Sequence, residues 1–316
     1  MKNSSMTCRG FAKSSLKSYK LKDDITAYLM LLPNLILFAV LVVYPVLWAL
    51  RYMFCEYDGV SPAEFIGMEN FVRVFTRDPA WWKSVVITFG IALGKLAVEI
   101  PLALILAVML NTKLKGRNLF RGIFFLPTVT SAAVMGLVFT FLFSGYNGIV
   151  NVYLQKWGFI DSAIPWLEDK TMATVVVIIA SVWQNFGQNV ILILAGLQNL
   201  PTDVYESASV DGATGVQQFF KITLPLLAPM LQLILMLALI GSLHSFDTIF
   251  VLTGGGPNGA TTTMGISIYN KFFMNGNISP DYGYGSTLAF VAACIIGMFT
   301  IIYNIVSARM KDADGR

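Results

Sequence analysis

Six apolar stretches, each long enough to cross a bilayer, constrain this 316-residue chain more than any other feature. They run from Ile25 to Leu50, Val85 to Leu110, Leu119 to Phe143, Met172 to Leu197, Leu224 to Leu252 and Ser286 to Val306. About 20 apolar residues suffice for a helix to span the hydrocarbon, and none of these runs has the alternation of a barrel strand. Hydrophobic residues make up 56% of the chain and charged residues only 13%, too few to coat a soluble globule. The expected fold class is an all-α integral membrane protein with six transmembrane helices. An N-terminal tail (1–24) precedes one membrane domain (25–316). The first run is too long for a signal-peptide core and no small-residue cleavage site follows it, so it reads as a retained span.

Lysine and arginine placement orients the spans. Fourteen basic residues fall on one side, in the N-terminal tail, in the connection holding Lys113, Lys115, Arg117 and Arg121, at Lys221 and in the C-terminal tail. Seven fall on the other, and Lys95 lies within a span. Both termini and the connection from Leu200 to Pro225 are therefore expected in the cytoplasm, with the chain in a cell membrane. The basic tail beside a span reads as this positive-inside signal, so no nucleic acid is expected as a partner. The outer connections are long and rich in turn residues. Trp81, Trp82, Trp157 and Trp166 suit an interfacial belt or a docking surface. Cys8, Cys55 and Cys294 are far apart and read as packing residues.

No phosphate-binding loop accompanies this architecture. Gly90 to Leu96 only echoes one, a residue too short and inside a span. No nucleophile–base constellation stands in a soluble setting either, so the chain is not expected to be an enzyme. The sole histidine, His244, cannot make a metal site alone and reads as a cavity or packing residue.

The polar connection from Leu200 to Pro225 is the most specific motif. It reads Glu206-Ser207-Ala208, three residues, Gly212, nine residues, then Ile222-Thr223-Leu224-Pro225. Pro201 can open a helix whose first turns hold Asp203 and Glu206, and Gly212 permits a chain reversal. The spacing resembles the E-x-A-x(3)-G-x(9)-I-x-L-P loop of the membrane subunits of ATP-binding-cassette importers. Ser207 stands where that motif usually has alanine. Phe246 to Pro257, with Thr253-Gly254-Gly255-Gly256-Pro257, and Phe65 to Phe71 are similar to segments of the carbohydrate-uptake permeases related to maltose and glycerol-phosphate systems. The large extracellular insert and extra N-terminal spans of the maltose permease have no counterpart.

Polar groups at membrane depth are costly unless they face a cavity or a partner. In the fourth run Ser181, Gln184, Asn185 and Gln188 share one helical face, and the fifth carries Ser242, His244, Ser245 and Asp247. Amides and hydroxyls beside an aromatic ring are the groups a carbohydrate needs, although they can equally bond neighbouring helices. Lys95 and Glu99, one turn apart, read as a structural ion pair worth a few tenths of a kcal/mol if exposed.

The resemblance implies the rest. It points to a type I importer permease in which Ser181, Gln184, Asn185, Gln188, Ser242 and Ser245 contact substrate. Glu206, Ser207, Ala208, Gly212 and Pro225 would couple to an ATPase. The implied partners are a second homologous permease, a cytoplasmic ATPase dimer, an extracytoplasmic solute-binding protein and a carbohydrate. The chain itself needs no cofactor, since ATP is used by the ATPase subunits. The rival is an ion-gradient transporter or channel with Lys95, Glu99 and Asp247 as its relay. An importer for polyols, glycerol phosphate or another non-sugar solute is the nearer alternative.

Overall fold

The computed structural model describes residues 26–112, 115–273 and 280–313. The expected tail over residues 1–24 lies outside them, as do the basic residues counted there. Among the described residues five helices are long and apolar enough to cross a membrane, or six if one sharply bent pair counts as a span. The described residues are mainly helical, with one two-residue β-pairing among them, Cys55–Glu56 (β1) with Glu64–Phe65 (β2).

The first span, α1 (Thr26–Phe54), lies outside the bundle: every residue from Thr26 to Trp48 is exposed. A π-helical segment, Ala39–Val43, precedes Pro45, whose ring nitrogen cannot donate to the ladder. Only its last turn is held. Asn70 of α2 (Glu69–Thr76) donates to the Met53 and Cys55 carbonyls at 3.1 and 3.0 Å, and Thr287 donates to Met53 at 3.2 Å.

The core is α3 (Pro79–Leu110) packed along α7 (Lys170–Gln198). Asp78 caps α3 by accepting from the Trp81 amide, and Asp169 caps α7 in the same way from Thr171 and Met172. Ala103 and Ala107 present small side chains to Val190, Ile193 and Leu194, which lets the two helices approach closely. Gly187 does the same on another face of α7: a methyl group there would overlap the Phe124 carbonyl. Trp81 is 1% exposed, and Trp166 packs inward with its Nε1 donating to Asn151 at 2.8 Å. These two therefore belong to the interior, not to an interfacial belt. Trp157, 65% exposed, remains outside.

Two expected spans are interrupted. The third is a pair, α4 (Arg117–Val129) and α5 (Ala132–Leu142), bent by 96° between them. Pro127 lacks a donor for the last turn of α4, and extended Thr130 and Ser131 start a new helix, with the Ser131 hydroxyl capping Val134. After α6 (Ile149–Lys156), α7 and the short α8 (Thr202–Val210), the fifth span α9 runs from Gly215 to Leu243. It thus begins nine residues before the expected Leu224 and ends nine before Leu252. His244 to Phe246 break it, and Asp247–Thr253 forms the separate α10. The glycine run after α10 folds back on its own chain. Thr262 donates to the Gly255 carbonyl at 3.0 Å and Thr261 to that of Gly256 at 2.7 Å. Then come α11 (Met264–Phe272) and the last span, α12 (Tyr282–Ala313). Near one end of the bundle Arg73 pairs with Asp281 at 2.9 Å and the Tyr284 hydroxyl donates to Asp78 at 2.7 Å, joining α2, α3 and α12.

Candidate functional site

Both helix breaks lie beside Gln184 in the middle of α7. Its amide oxygen accepts from the Thr248 hydroxyl at 2.6 Å, and its Nε2 makes a longer, 3.4 Å bond to the Thr130 carbonyl. Thr130 is the residue at which α4 ends, so Gln184 partners a carbonyl that the break would otherwise orphan. The opening around these groups is a polar cavity of about 300 Å³. Gln184, Asn185, Gln188 and Asn189 of α7 line one side. Ala238 and Gly241 of α9, with His244, Ser245, Phe246, Asp247 and Thr248 of the break and α10, line the other.

Lys95 and Glu99 reach the same cavity from α3. Their Nζ and Oε2 are 3.5 Å apart, with side chains 6% and 1% exposed. Asn189 donates to the other carboxylate oxygen at 2.7 Å. The charges therefore point into the bundle. A buried pair is energetically a different object from an exposed one, because both its making and its breaking involve desolvation.

Of the six residues proposed for substrate, the structure brings Gln184, Asn185, Gln188 and Ser245 to one cavity. Ser181 and Ser242 are absent from its lining and buried, at 1% and 4% exposure. The Ser242 hydroxyl donates to the Ala238 carbonyl one turn back at 2.6 Å. The Ser181 carbonyl accepts from Asn185 Nδ2 at 2.9 Å. Thr248 and Phe246 complete the lining without having been singled out as site residues. Their signal was the interruption of a hydrophobic run by His244-Ser245-Phe246-Asp247, which reads as a break only when the run is not averaged.

The amides of Gln184 and Gln188 differ in employment. Gln184 serves two partners, whereas Gln188 is exposed and bonded to nothing among the described residues. Gln184→Leu should therefore destabilise the purified subunit by about 1–3 kcal/mol, the cost of leaving buried polar groups unpaired. Gln188→Leu should leave its thermal unfolding in detergent unchanged. Equal midpoints for the two variants would refute the bridging role.

The second group of candidate residues lies at the opposite end of α7, in a helix–turn–helix. Asp203, Glu206, Ser207 and Val210 of α8 are exposed, while Ala208 is 9% exposed and turned toward the chain's own body. Gly212 has φ of +78°, a left-handed conformation natural to glycine. It closes α8 with paired bonds from the Gly212 amide to the Ser209 carbonyl at 3.2 Å and from the Ala213 amide to that of Ala208 at 2.9 Å. Thr214 and Gln217 then cap α9 reciprocally. Gln218 donates to Ser209 and to the Ala213 carbonyl, and the hydroxyls of Tyr205 and Thr223 lie 2.9 Å apart. Pro225 follows a π-helical segment, Phe219–Thr223, inside α9, so it belongs to the span and not to the turn.

Comparison with known proteins agrees with this architecture along nearly its whole length. The model of the family described as "binding-protein-dependent transport system inner membrane component" matches residues 99–312. The trehalose/maltose transport system permease protein MalF of Thermococcus litoralis is 34% identical, over 93% of this chain and 97% of its own. The lactose transport system permease protein LacF of Rhizobium radiobacter is also 34% identical, over 95% and 99% respectively. Among solved structures, a chain of a bacterial ABC transporter involved in import of the acidic polysaccharide alginate superposes with a TM-score of 0.79. It is 25% identical, and the match covers 92% of this chain and 98% of that one. A helical bundle of these spans, the exposed helix–turn–helix and matches of this extent place the chain: it belongs to the family of inner-membrane components of binding-protein-dependent transport systems.

Proposed function

We propose that this chain is the membrane-spanning subunit of an ATP-driven carbohydrate importer and contributes one side of its translocation path. The observation that carries this reading is the polar cavity at the two helix breaks, in a chain whose relatives are named for saccharide transport. Its amides and hydroxyls, beside the Phe246 ring, suit hydroxyl-rich solutes. A volume of about 300 Å³ is at the lower end for ligand pockets, as expected if a second, homologous permease supplies the facing wall. A solute-binding protein delivers the sugar from outside, in keeping with the family's description. The complex sits on two ATPase subunits in the cytoplasm, one of which holds α8 with Glu206 and Ser207 facing it. Transport is alternating access, and the chain supplies a path and a mechanical link.

The test is reconstitution of the full complex in vesicles with labelled mono- and oligosaccharides. Accumulation should require ATP and the binding protein. Uptake driven by an ion gradient without ATP would favour the rival relay through Lys95, Glu99 and Asp247. Against that relay, Glu99 already holds Lys95 and Asn189.

Orientation is tested separately. In a cysteine-free background, a cysteine at Asn258 should react with an impermeant reagent from outside, and one at Asp203 only after permeabilisation. The reverse pattern would overturn the topology and the ATPase contact together.

A further inference from the structure

Arg117 and Arg121 lie one turn apart at the start of α4, and among the described residues no carboxylate forms an ion pair with either. Both guanidinium groups converge on one neutral acceptor, the side-chain oxygen of Gln198 at the end of α7. With the amide turned to present that oxygen, Arg121 Nη2 reaches it at 2.6 Å, and Arg117 Nη2 donates to it as well. The Nε atoms of both arginines are shielded from solvent and have no hydrogen-bond partner. A guanidinium carries five donors, and the shared amide oxygen engages a single Nη of each fork. Two like charges held side by side attract an anion.

Two further observations describe what that anion would meet. Gln198 also lines a cavity of about 450 Å³ beneath α8, with the neutral polar groups of Asn111, Thr202, Tyr205, Gln218 and Thr223. On the face of α4 away from the two arginines Leu119, Phe120, Ile123 and Leu126 are 67%, 44%, 51% and 63% exposed.

We propose that Arg117 and Arg121 form a binding site for a phosphate-bearing anion whose oxygens complete the two guanidinium forks. Phosphoryl oxygens match bidentate guanidinium donors in geometry and charge. A phospholipid headgroup and soluble phosphate share this chemistry. The pair stands at the end of a helix pair apolar enough to cross a membrane, which favours the lipid. Assignment to the cytoplasmic leaflet rests on the orientation proposed above, whereas the ionic argument does not.

The test uses the intact transport complex in a phosphate-free maltoside detergent. Modification of Arg117 and Arg121 by phenylglyoxal is read by peptide mass spectrometry, with three arms: detergent alone, added inorganic phosphate, and mixed micelles containing phosphatidylglycerol. Protection by phosphatidylglycerol alone supports the lipid, and protection by inorganic phosphate supports a soluble source of the same group. Equal modification in all three arms overturns the site. So does full protection in detergent alone with no lipid retained, since a partner's carboxylate would then be the anion. Native mass spectrometry gives the second readout: retained phosphatidylglycerol should fall about tenfold or more in R117Q/R121Q, as expected from lost charge-assisted bonds. If that variant does not assemble, R121Q alone carries the comparison, and unchanged retention overturns the proposal. Sugar uptake enters neither readout, so failure here leaves the transport reading standing.

Discussion

Replacing Lys95 by methionine is expected to destabilise the folded subunit by about 3–5 kcal/mol, because it strands the buried Glu99 carboxylate. Glu99 would keep its 2.7 Å bond from Asn189 and lose the only cation paired with it among the described residues. Glu99→Gln should be comparably damaging through the unpaired Lys95. The double variant Lys95→Met/Glu99→Gln removes both charges and should recover most of the loss, since buried pairs exchange well for neutral groups of similar size. Thermal unfolding of the three variants in detergent closes the cycle. A double variant destabilised by the sum of the two single effects would mean that the two charges are not coupled. The expected effect is far above the few tenths of a kcal/mol anticipated for an exposed pair at this spacing. The difference comes wholly from burial.

Glu206→Ala and Gly212→Val should each abolish transport, by different routes. Glu206 is exposed, so its loss should leave the subunit's own unfolding midpoint unchanged and weaken its hold on the ATPase. If the carboxylate meets a basic residue in a closed groove, breaking that pair costs about 3–5 kcal/mol of association. Gly212→Val acts inside the chain. At φ of +78° a β-branched residue is strained by about 1–2 kcal/mol or more, and the paired bonds that close α8 would open. Both variants should insert normally, because neither lies in a span. Wild-type ATPase binding and wild-type sugar-stimulated hydrolysis in both would show that α8 is not the coupling element.

Where an apolar run coincides with one straight helix, sequence and structure agree: Val85 to Leu110, Met172 to Leu197 and Ser286 to Val306 all lie inside α3, α7 and α12. These helices extend further outward, since polar first turns such as Pro79 to Ser84 continue a helix that hydropathy has stopped registering. The breaks were hidden for the complementary reason. Thr130-Ser131 and His244-Ser245-Phe246 are too few to interrupt an averaged run, and whether such residues bend a helix depends on a partner for the freed backbone. Gln184 is that partner for Thr130, 54 residues away, and no local pattern announces it. The cavity was legible as a polar face on α7, but a face is wider than a cavity. Ser181 lies on the same face one turn away and is covered by packing, while Gln188 is open. The Lys95–Glu99 pair could be read from its spacing, but Asn189 could not, because it comes from another helix.

The bonded turn between α8 and α9 sets where the molecule yields under load. Elements joined end to end behave as springs in series, and displacement collects in the softest. Capping bonds on both sides of Gly212 and Thr214, with Gln218 and the Tyr205–Thr223 contact as rivets, make the link between α8 and α9 a stiff member. Farther along the same strut stands the interruption at His244 to Phe246, where the continuous ladder stops and a hydroxyl–amide contact from Thr248 to Gln184 ties the far piece to α7. If an ATPase pushes at Glu206, as proposed, a stiff turn passes the displacement on to α9. About eight turns along α9 lies the break at His244 to Phe246, and that break is a wall of the cavity.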